Sequence, residues 1–314
     1  MKAAPGHGGQ PAAGAGLHPL PGVSGTAAPC QAGGMRILPR RWVAAAAGPA
    51  VLIAALACTS AVARAAGQPA RTFRDASCLV STVPLYSPAM WKAAAGRSPE
   101  AGVGIANWGS NTQNGGAGGP GKTRNAADAA RISAAQADGT RILGYIATDY
   151  ARGAAGYGRM SIETQMTDWH RWYGVTAFFL DEAPTATTHQ PYYAAVKAWA
   201  HRHIGASAQE WLNMGTYPAA ASWMRDANTI MDWEDSAAPA TPPAWVHNYP
   251  ASRFAMIMNA VPDTASAIAA AVTDIEHAHA GAGFVTSDVS YQTLPSWSYW
   301  TAFSTDAASP GCTQ

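Results

Sequence analysis

The amino-acid sequence predicts one α/β domain with the (β/α)8 fold, the TIM barrel, across residues 78–314. Eight short apolar runs, typical of buried parallel strands, alternate with helical stretches over about 230 residues, which matches this barrel in count, order and length. Several runs stop at polar or acidic residues, as strands do at the mouth that carries a barrel's chemistry. An open doubly wound sheet is the alternative, but no Gly-x-Gly-x-x-Gly motif follows the first run to indicate dinucleotide binding.

The elements can be placed one by one. The clearest is the fourth run, in which apolar and small residues lead into Asp181 and Glu182 before a proline. The predicted strands are Leu79–Tyr86, Gly102–Trp108, Arg141–Ala147, Val175–Pro184, Glu210–Met214, Thr229–Trp233, Phe254–Asn259 and Gly283–Thr286. The Asp138-Gly139 pair is a helix stop. The predicted helices are Ala89–Ala95, Asn125–Ala137, Ile162–Tyr173, Gln190–His203 and Thr264–Ala280.

The first 77 residues predict export rather than part of the barrel. Residues 1–34 are rich in Gly, Ala and Pro, which indicates disorder or an artefact of an upstream start codon. Residues 35–66 predict a signal peptide, because Arg40-Arg41 precedes an apolar run that ends in small-x-small cleavage patterns. A retained membrane anchor is the alternative. We expect a mature N-terminus between Arg64 and Gly67, a linker over residues 67–77 and a secreted or cell-surface protein without stable membrane insertion.

Two cysteines remain in the predicted mature chain. Cys78 and Cys312 stand at opposite ends of the barrel domain. In an oxidising compartment they can form one disulfide that ties the termini together, with two free thiols as the alternative.

The amino-acid composition limits the classes of molecule that this protein could bind. The net charge is +1 and no basic stripe is present, so nucleic acid is excluded as a partner. The 12 Trp and 11 Tyr against 6 Phe favour a polar ligand with flat apolar faces, such as a sugar, although about half of these rings should fill the core. We expect a monomer that requires no cofactor.

The strand ends predict one shared site. The polar and aromatic residues expected at the barrel mouth, besides Asp181 and Glu182, are Tyr86, Asn107, Trp108, Thr148, Asp149, Tyr150, Asn213, Tyr217, Asp232, Trp233, Glu234, Asn259 and Asp288. The sequence has no metal-ligand spacing and no Gly-x-Ser-x-Gly elbow. Carboxylates with aromatics fit glycoside hydrolysis, in which one acid protonates the leaving oxygen and another carboxylate is nucleophile or base. A helix N-cap or a structural ion pair is the other reading of Asp181-Glu182.

The motifs in order resemble the spherulin-4-like (spherulation-specific) family of secreted glycoside hydrolases, from about Leu79 to Trp300. The motifs that carry the resemblance are Val83-Pro84-Leu85-Tyr86-Ser87-Pro88, Gly144-Tyr145-Ile146-Ala147-Thr148-Asp149-Tyr150, Phe179-Leu180-Asp181-Glu182, Asn213-Met214-Gly215-Thr216, Glu234, Phe284-Val285-Thr286-Ser287-Asp288 and Leu294-Pro295-Ser296-Trp297. The resemblance implies a (β/α)8 fold and endo-hydrolysis of α-1,4-linked N-acetylgalactosamine in an exopolysaccharide. It adds Tyr145 and Trp297 to the substrate-binding candidates. Asn107-Trp108 and Asn213-Met214 depart from the Asn-Pro usual in relatives.

The resemblance also implies three catalytic acids, Asp181, Glu182 and Glu234. We predict Glu234 as the general acid/base and Asp181 as the nucleophile or its equivalent. Glu182 should point away from Asp181 on an extended backbone and assist the pair, with exchange of the Asp181 and Glu182 roles as the alternative. A cell-surface carbohydrate-binding protein without turnover is the competing function, because the fold does not fix the function.

Overall fold

The computed structural model describes residues 79–95, 102–108, 118–151, 162–289, 291, 294 and 299–303. By contacts the chain divides into the units Met1–Val62 and Ala63–Gln314, and all described residues lie in the second unit. The predicted signal peptide and linker, Cys78, Cys312 and Trp297 lie outside the described residues. No helix in the described part is long and apolar enough to span a membrane.

Eight parallel strands form a closed barrel in sequence order, which confirms the predicted fold. The strands are Val80–Leu85 (β1), Val103–Ala106 (β2), Arg141–Ala147 (β3), Ala177–Asp181 (β4), Gln209–Asn213 (β5), Thr229–Asp235 (β6), Phe254–Met258 (β7) and Ala282–Val285 (β8). The barrel closes where β1 pairs with β8, with Val80 opposite Ala282 and Ser81 opposite Gly283.

Helices cover the barrel on the outside. They are Pro88–Ala94 (α1), Ala126–Ala137 (α2), Ile162–Tyr173 (α3), Gln190–His203 (α4) and Ala265–His277 (α5), and residues 299–303 form a further helical segment. The expectation of a helix after every strand is wrong for β5 and β6, which are followed by short 3-10 segments, Ala221–Arg225 after β5 and Ala244–Asn248 after β6. The Pro-rich stretch before Ala244 removes backbone donors that an α-helix would need.

Two strand boundaries that matter for the site differ from the prediction. Strand β4 is shorter than Val175–Pro184 and ends at Asp181, because the next residue, Glu182, has a left-handed backbone (φ 57°). Strand β6 runs two residues beyond Trp233, because its register with β7 shifts between Met231 and Trp233 and pairing then continues to Asp235. Glu234 is therefore held within the sheet rather than in a loop.

The core includes large aromatic side chains packed between the barrel and the helices. Trp169 of α3 is fully buried, and its indole nitrogen donates to the Tyr145 carbonyl oxygen at 3.0 Å. A Cβ added to Gly144 would lie 2.6 Å from the Trp169 ring, so only glycine at this position of β3 lets α3 pack this closely. This packing fixes the strand that presents Tyr145 to the mouth.

Candidate active site

A single amide joins two carboxylates at the mouth of the barrel. Asp181 ends β4, Asn213 ends β5 and Glu234 lies near the end of β6. The Asn213 Nδ2 atom donates to Asp181 Oδ1 and to Glu234 Oε2, each at 2.7 Å. The backbone nitrogen of Gly215 donates to Asn213 Oδ1 at 3.1 Å, which fixes the amide with its NH2 group toward the acids. Because both acids contact one nitrogen atom, these two oxygens are no more than about 5.4 Å apart.

The second oxygen of Asp181 is also occupied. The Tyr145 hydroxyl donates to Asp181 Oδ2 at 2.6 Å. Burial raises the pKa of Asp181, the charge of Glu234 raises it further, and the hydrogen bonds from Tyr145 and Asn213 oppose the rise. The environment therefore disfavours two negative charges on the pair, while the donors keep both Asp181 oxygens in fixed acceptor positions.

Two tyrosine side chains, Tyr291 and Tyr86, lie near Glu234. The side chain of Tyr291 hydrogen-bonds to Glu234, and Asn259 Nδ2 donates to the Tyr291 hydroxyl oxygen at 3.0 Å. Tyr86 packs edge-on against Tyr145, with 6.1 Å between ring centroids, and burial followed by the charges of Asp181 and Glu234 raises its pKa well above the usual value. Burial also raises the pKa of Tyr291, so the hydroxyl groups of Tyr86 and Tyr291 both keep their hydrogens.

Tyr291 is the site residue that the sequence reasoning missed. It lies in an irregular loop after β8, beyond the residues that directly follow the strand, where periodicity gives no signal. The resemblance motifs lie on either side of it without including it. An aromatic hydroxyl within reach of a strand end was the only available indication.

Glu182 leaves the strand instead of continuing it. Its left-handed backbone (φ 57°) means that the prediction of an extended Asp181-Glu182 pair is wrong. Its carbonyl oxygen accepts hydrogen bonds from the Tyr150 backbone nitrogen at 3.0 Å and from the Thr148 hydroxyl at 3.1 Å. Its carboxylate charge is among the causes that raise the pKa of Tyr145, although a minor one. Glu182 thus lies beside the pair, and its backbone ties β4 to the loop after β3.

The loop after β3 holds three predicted residues. The Thr148 hydroxyl is buried and donates to the Asp181 carbonyl oxygen at 2.7 Å, so Thr148 positions the end of β4. Asp149 and Tyr150 have left-handed backbones, with φ of 47° and 53°. The Tyr150 side chain is 54% exposed, which leaves its ring open to solvent at the rim.

An aromatic pair lies near the ends of β5 and β6, and one of its members, Trp233, directly precedes Glu234 in sequence. The rings of Tyr217 and Trp233 are 6.2 Å apart. Their polar atoms donate to carbonyl oxygens of the loop after β6, Tyr217 to Ala240 at 3.2 Å and Trp233 to Ala237 at 3.1 Å. Tyr217 and Trp233 therefore present a fixed apolar face with its polar groups already satisfied.

Three further predicted substrate-binding residues have contacts that serve the fold, although Asn107 also lies beside the Tyr145 ring. Asn107 is buried, and its Oδ1 accepts from the Gly119 backbone nitrogen at 3.0 Å, so it closes the loop after β2. Trp108 stacks on Trp91 at 5.4 Å in the layer between barrel and helices. Asp232, at the register shift of β6, is fully buried with no hydrogen-bond partner for either oxygen among the described residues.

Burial raises the pKa of Asp232 well above its usual value. Asp288, in the loop after β8, is half-buried, and its backbone nitrogen donates to the Thr286 hydroxyl at 3.1 Å. Within the described residues, no group of three His, Cys, Asp or Glu side chains could hold a metal ion.

The described chain resembles proteins of known structure. Its likeness to Aspergillus clavatus Sph3, solved in complex with GalNAc, has a TM-score of 0.55 at 16% sequence identity and covers 76% of this chain and 100% of that chain. A chitinase from Bacteroides thetaiotaomicron matches with a TM-score of 0.49 at 10% identity, covering 76% of this chain and 99% of the other. Among curated proteins, no sequence matches this chain. The sequence model of the spherulation-specific family 4 matches residues 111–307, more than half of the chain. The chain therefore belongs to the spherulation-specific family 4.

Proposed function

We propose that this protein is a glycoside hydrolase in which Asp181 and Glu234 act on the two sides of one glycosidic bond. The observation that carries the proposal is the amide of Asn213, which donates to both carboxylates at 2.7 Å. A structural ion pair would place a cation between two carboxylates, whereas here a neutral amide holds two acids of like charge beside each other. Such a pair is costly to bury and is typical of a catalytic site.

The separation of the acids favours retention of configuration. Their nearest oxygens are no more than about 5.4 Å apart. Retaining glycosidases have carboxyl groups about 5–5.5 Å apart, whereas inverting enzymes need about 6.5–9.5 Å to admit a water molecule. The limit on this pair of oxygens fits the shorter class, and we propose a double displacement with a covalent glycosyl-enzyme intermediate.

The hydrogen bonds divide the roles. The Asp181 carboxylate accepts hydrogen bonds from Tyr145, Asn213 and the Glu182 backbone nitrogen. Three donors leave one of its four lone-pair sites free, so ionised Asp181 can attack the anomeric carbon while the glycosidic C–O bond breaks. Glu234 gives its proton to the leaving oxygen in that step. A water molecule then loses a proton to Glu234 and attacks the anomeric carbon, which releases Asp181. The raised pKa of Asp181 places the acidic limb of activity above the range usual for an aspartate.

The proposed substrate is an exopolysaccharide that contains α-1,4-linked N-acetylgalactosamine, cut at internal bonds. Three observations support this substrate. The motifs resemble a family with that activity, Sph3 was solved with GalNAc bound, and the exposed Tyr150 ring and the half-buried Tyr217–Trp233 pair suit stacking against sugar rings. Glu182 would assist from beside Asp181.

The direct test incubates the purified protein with a galactosaminogalactan-type polymer and measures released oligosaccharides. Chitin and a non-acetylated galactosamine polymer serve as comparison substrates, and Glu234→Gln is the matched inactive variant. We expect oligosaccharides from the acetylated polymer with wild type and almost none with Glu234→Gln. Tight binding of the polymer without release, equal in both proteins, would contradict hydrolysis and favour the carbohydrate-binding function.

Export is part of the same proposal, because an enzyme that acts on an extracellular polymer must be outside the cell. Residues 35–66 are proposed to act as a signal peptide, and a bond between Cys78 and Cys312 to form after export. Mass spectrometry of the secreted chain should give an N-terminus between Arg64 and Gly67 and a mass lower by two hydrogens than that of the reduced chain. A secreted protein that retains residues 42–63, or two thiols that react with iodoacetamide in the native state, would contradict these assignments.

A further inference from the structure

We infer that Tyr291 is a positioning residue for the general acid/base, and that its hydroxyl provides a second contact, besides Asn213, that holds the Glu234 carboxylate. This inference rests on the catalytic role proposed for Glu234. It adds a residue to the site that neither the strand-end pattern nor the family motifs include.

The direction of the hydrogen bonds supports the inference. A phenol has one hydrogen to donate, and the Tyr291 oxygen already accepts from Asn259 Nδ2 at 3.0 Å. The hydrogen of Tyr291 is therefore left for Glu234, with which the side chain is hydrogen-bonded. Asn259 is itself anchored to β6, since its backbone nitrogen donates to the Asp235 carbonyl oxygen at 3.1 Å. The two hydrogen bonds therefore run in one direction: Asn259 donates to Tyr291, and Tyr291 donates to Glu234.

Glu234 is consequently held from two parts of the barrel. Asn213 holds one oxygen from β5, and Tyr291 reaches the same carboxylate from the loop after β8. With only the contact to Asn213, the Glu234 side chain could rotate about that contact. A misplacement of about 1 Å can cost about 10²-fold in rate, so the second contact keeps Glu234 in the position that proton transfer requires.

Backbone strain provides an independent observation. Tyr291 has a left-handed backbone with φ of 56°, and Ala260, next to Asn259, has φ of 52°. A non-glycine residue in this region costs about 1 kcal/mol or more and persists where the surrounding structure imposes it. Both strained residues adjoin the one hydrogen bond that orients the Tyr291 hydroxyl. The strain therefore accompanies the placement of this side chain over Glu234.

The groups that face Glu234 determine how removal of the Tyr291 hydroxyl should change the pH dependence of activity. They are Asp181 from β4, Asn213 from β5, Tyr86 from β1 and Tyr291, and among these Asp181 is the only one that carries a charge. A hydrogen bond to a carboxylate stabilises its ionised form. Removal of the Tyr291 donor should therefore move the alkaline limb of the activity profile to higher pH.

The experiment measures kcat/KM against pH for wild type and Tyr291→Phe on the polymer that wild type cleaves. We expect the alkaline limb of Tyr291→Phe to move up by about one pH unit, the shift that the loss of a hydrogen bond to a charged group implies. We also expect kcat to fall by about 10- to 100-fold with little change in KM. Asn259→Ala, which leaves the phenol in place but unoriented, should give a smaller loss of kcat.

Tyr173→Phe is the matched control. Its hydroxyl is also hydrogen-bonded, to the Pro120 carbonyl oxygen at 3.2 Å, but it lies on α3 outside the mouth. This variant should keep the wild-type pH profile. If Tyr291→Phe folds as wild type does and its alkaline limb and kcat stay unchanged, the inference is wrong while the proposed hydrolysis stands. If wild type cleaves no polymer, the proposed function fails, and this inference fails with it.

Should Tyr291→Phe fail to fold, Tyr291→His, which can still donate a hydrogen bond, gives the answer. If Tyr291→His folds and has the wild-type alkaline limb and a near-normal kcat, the inference is supported, because the donor is restored. A folded Tyr291→His with kcat reduced as far as in Glu234→Gln contradicts it, because then the ring rather than the donor is required.

Discussion

Replacing Glu210 with Gln should stabilise the folded protein above neutral pH. Glu210 lies on β5, only 1% exposed, and neither of its carboxylate oxygens has a hydrogen-bond partner among the described residues. The nearest basic group is His201 Nε2 on α4, 3.9 Å from Glu210 Oε2. Burial raises the pKa of Glu210 to about 7, while the charge of Lys197 opposes the rise.

The sign and size of the expected change in the free energy of unfolding follow from this pKa shift. The unfolded chain releases the Glu210 proton near its ordinary pKa of 4.5, whereas the folded chain holds it to about 7. The contribution of protonated Glu210 to the free energy of unfolding is therefore fully present below pH 4.5 and is lost as the pH rises through about 7. A shift of about 2.5 units at about 1.4 kcal/mol per unit corresponds to roughly 3 kcal/mol at pH 8. A glutamine cannot ionise and so avoids this loss.

Urea unfolding of wild type and Glu210→Gln at pH 4.5 and pH 8 measures the effect. We expect the free energy of unfolding of the variant, relative to wild type, to rise by up to about 3 kcal/mol between the two pH values. Asp138→Asn makes the matching carboxylate-to-amide change at an exposed position at the end of α2 and should change this difference by less than about 0.5 kcal/mol. Equal pH dependence in wild type and Glu210→Gln would refute the reasoning.

Three further predictions concern the site and its support. Glu234→Gln and Asp181→Asn should each lower kcat by about 10²- to 10⁴-fold while folding normally, and near-full activity in either would remove that residue from the catalytic pair. Glu182→Gln should lose less activity than either, and a loss as large as that of Asp181→Asn would indicate exchanged roles. Gly144→Ala should lower the free energy of unfolding by about 1–3 kcal/mol, since its Cβ would lie 2.6 Å from the Trp169 ring, and an unchanged value in urea unfolding would show that α3 can shift.

The fold was predictable from the sequence because its signals are local. Buried parallel strands give continuous apolar runs, and the predicted bounds of Arg141–Ala147, Ile162–Tyr173 and Gln190–His203 agree with the structure. The end of β6 was missed because a register shift at Asp232 depends on pairing with β7. The missing helix after β6 was readable from the Pro-rich stretch before Ala244, whose prolines lack backbone donors.

The candidate site was predictable in part for a related reason. Strand ends of a parallel barrel converge, so Asp181, Asn213 and Glu234 could be brought together from strand order alone. Asn107 and Trp108 also follow a strand, but they are used to close a loop and to fill the layer outside the barrel. Tyr291 reaches the site from an irregular loop, whose path depends on contacts that no periodic pattern records.

The stereochemistry of hydrolysis tests the central claim most directly. If Asp181 and Glu234 act at the close separation set by Asn213, the protein is a retaining enzyme. Proton NMR of the reducing ends formed in the first minutes of cleavage, before mutarotation, distinguishes the two outcomes. From an α-linked polymer we predict that the first reducing ends are α anomers. First-formed β anomers would contradict the account, because they require a water molecule between carboxyl groups that one amide holds together.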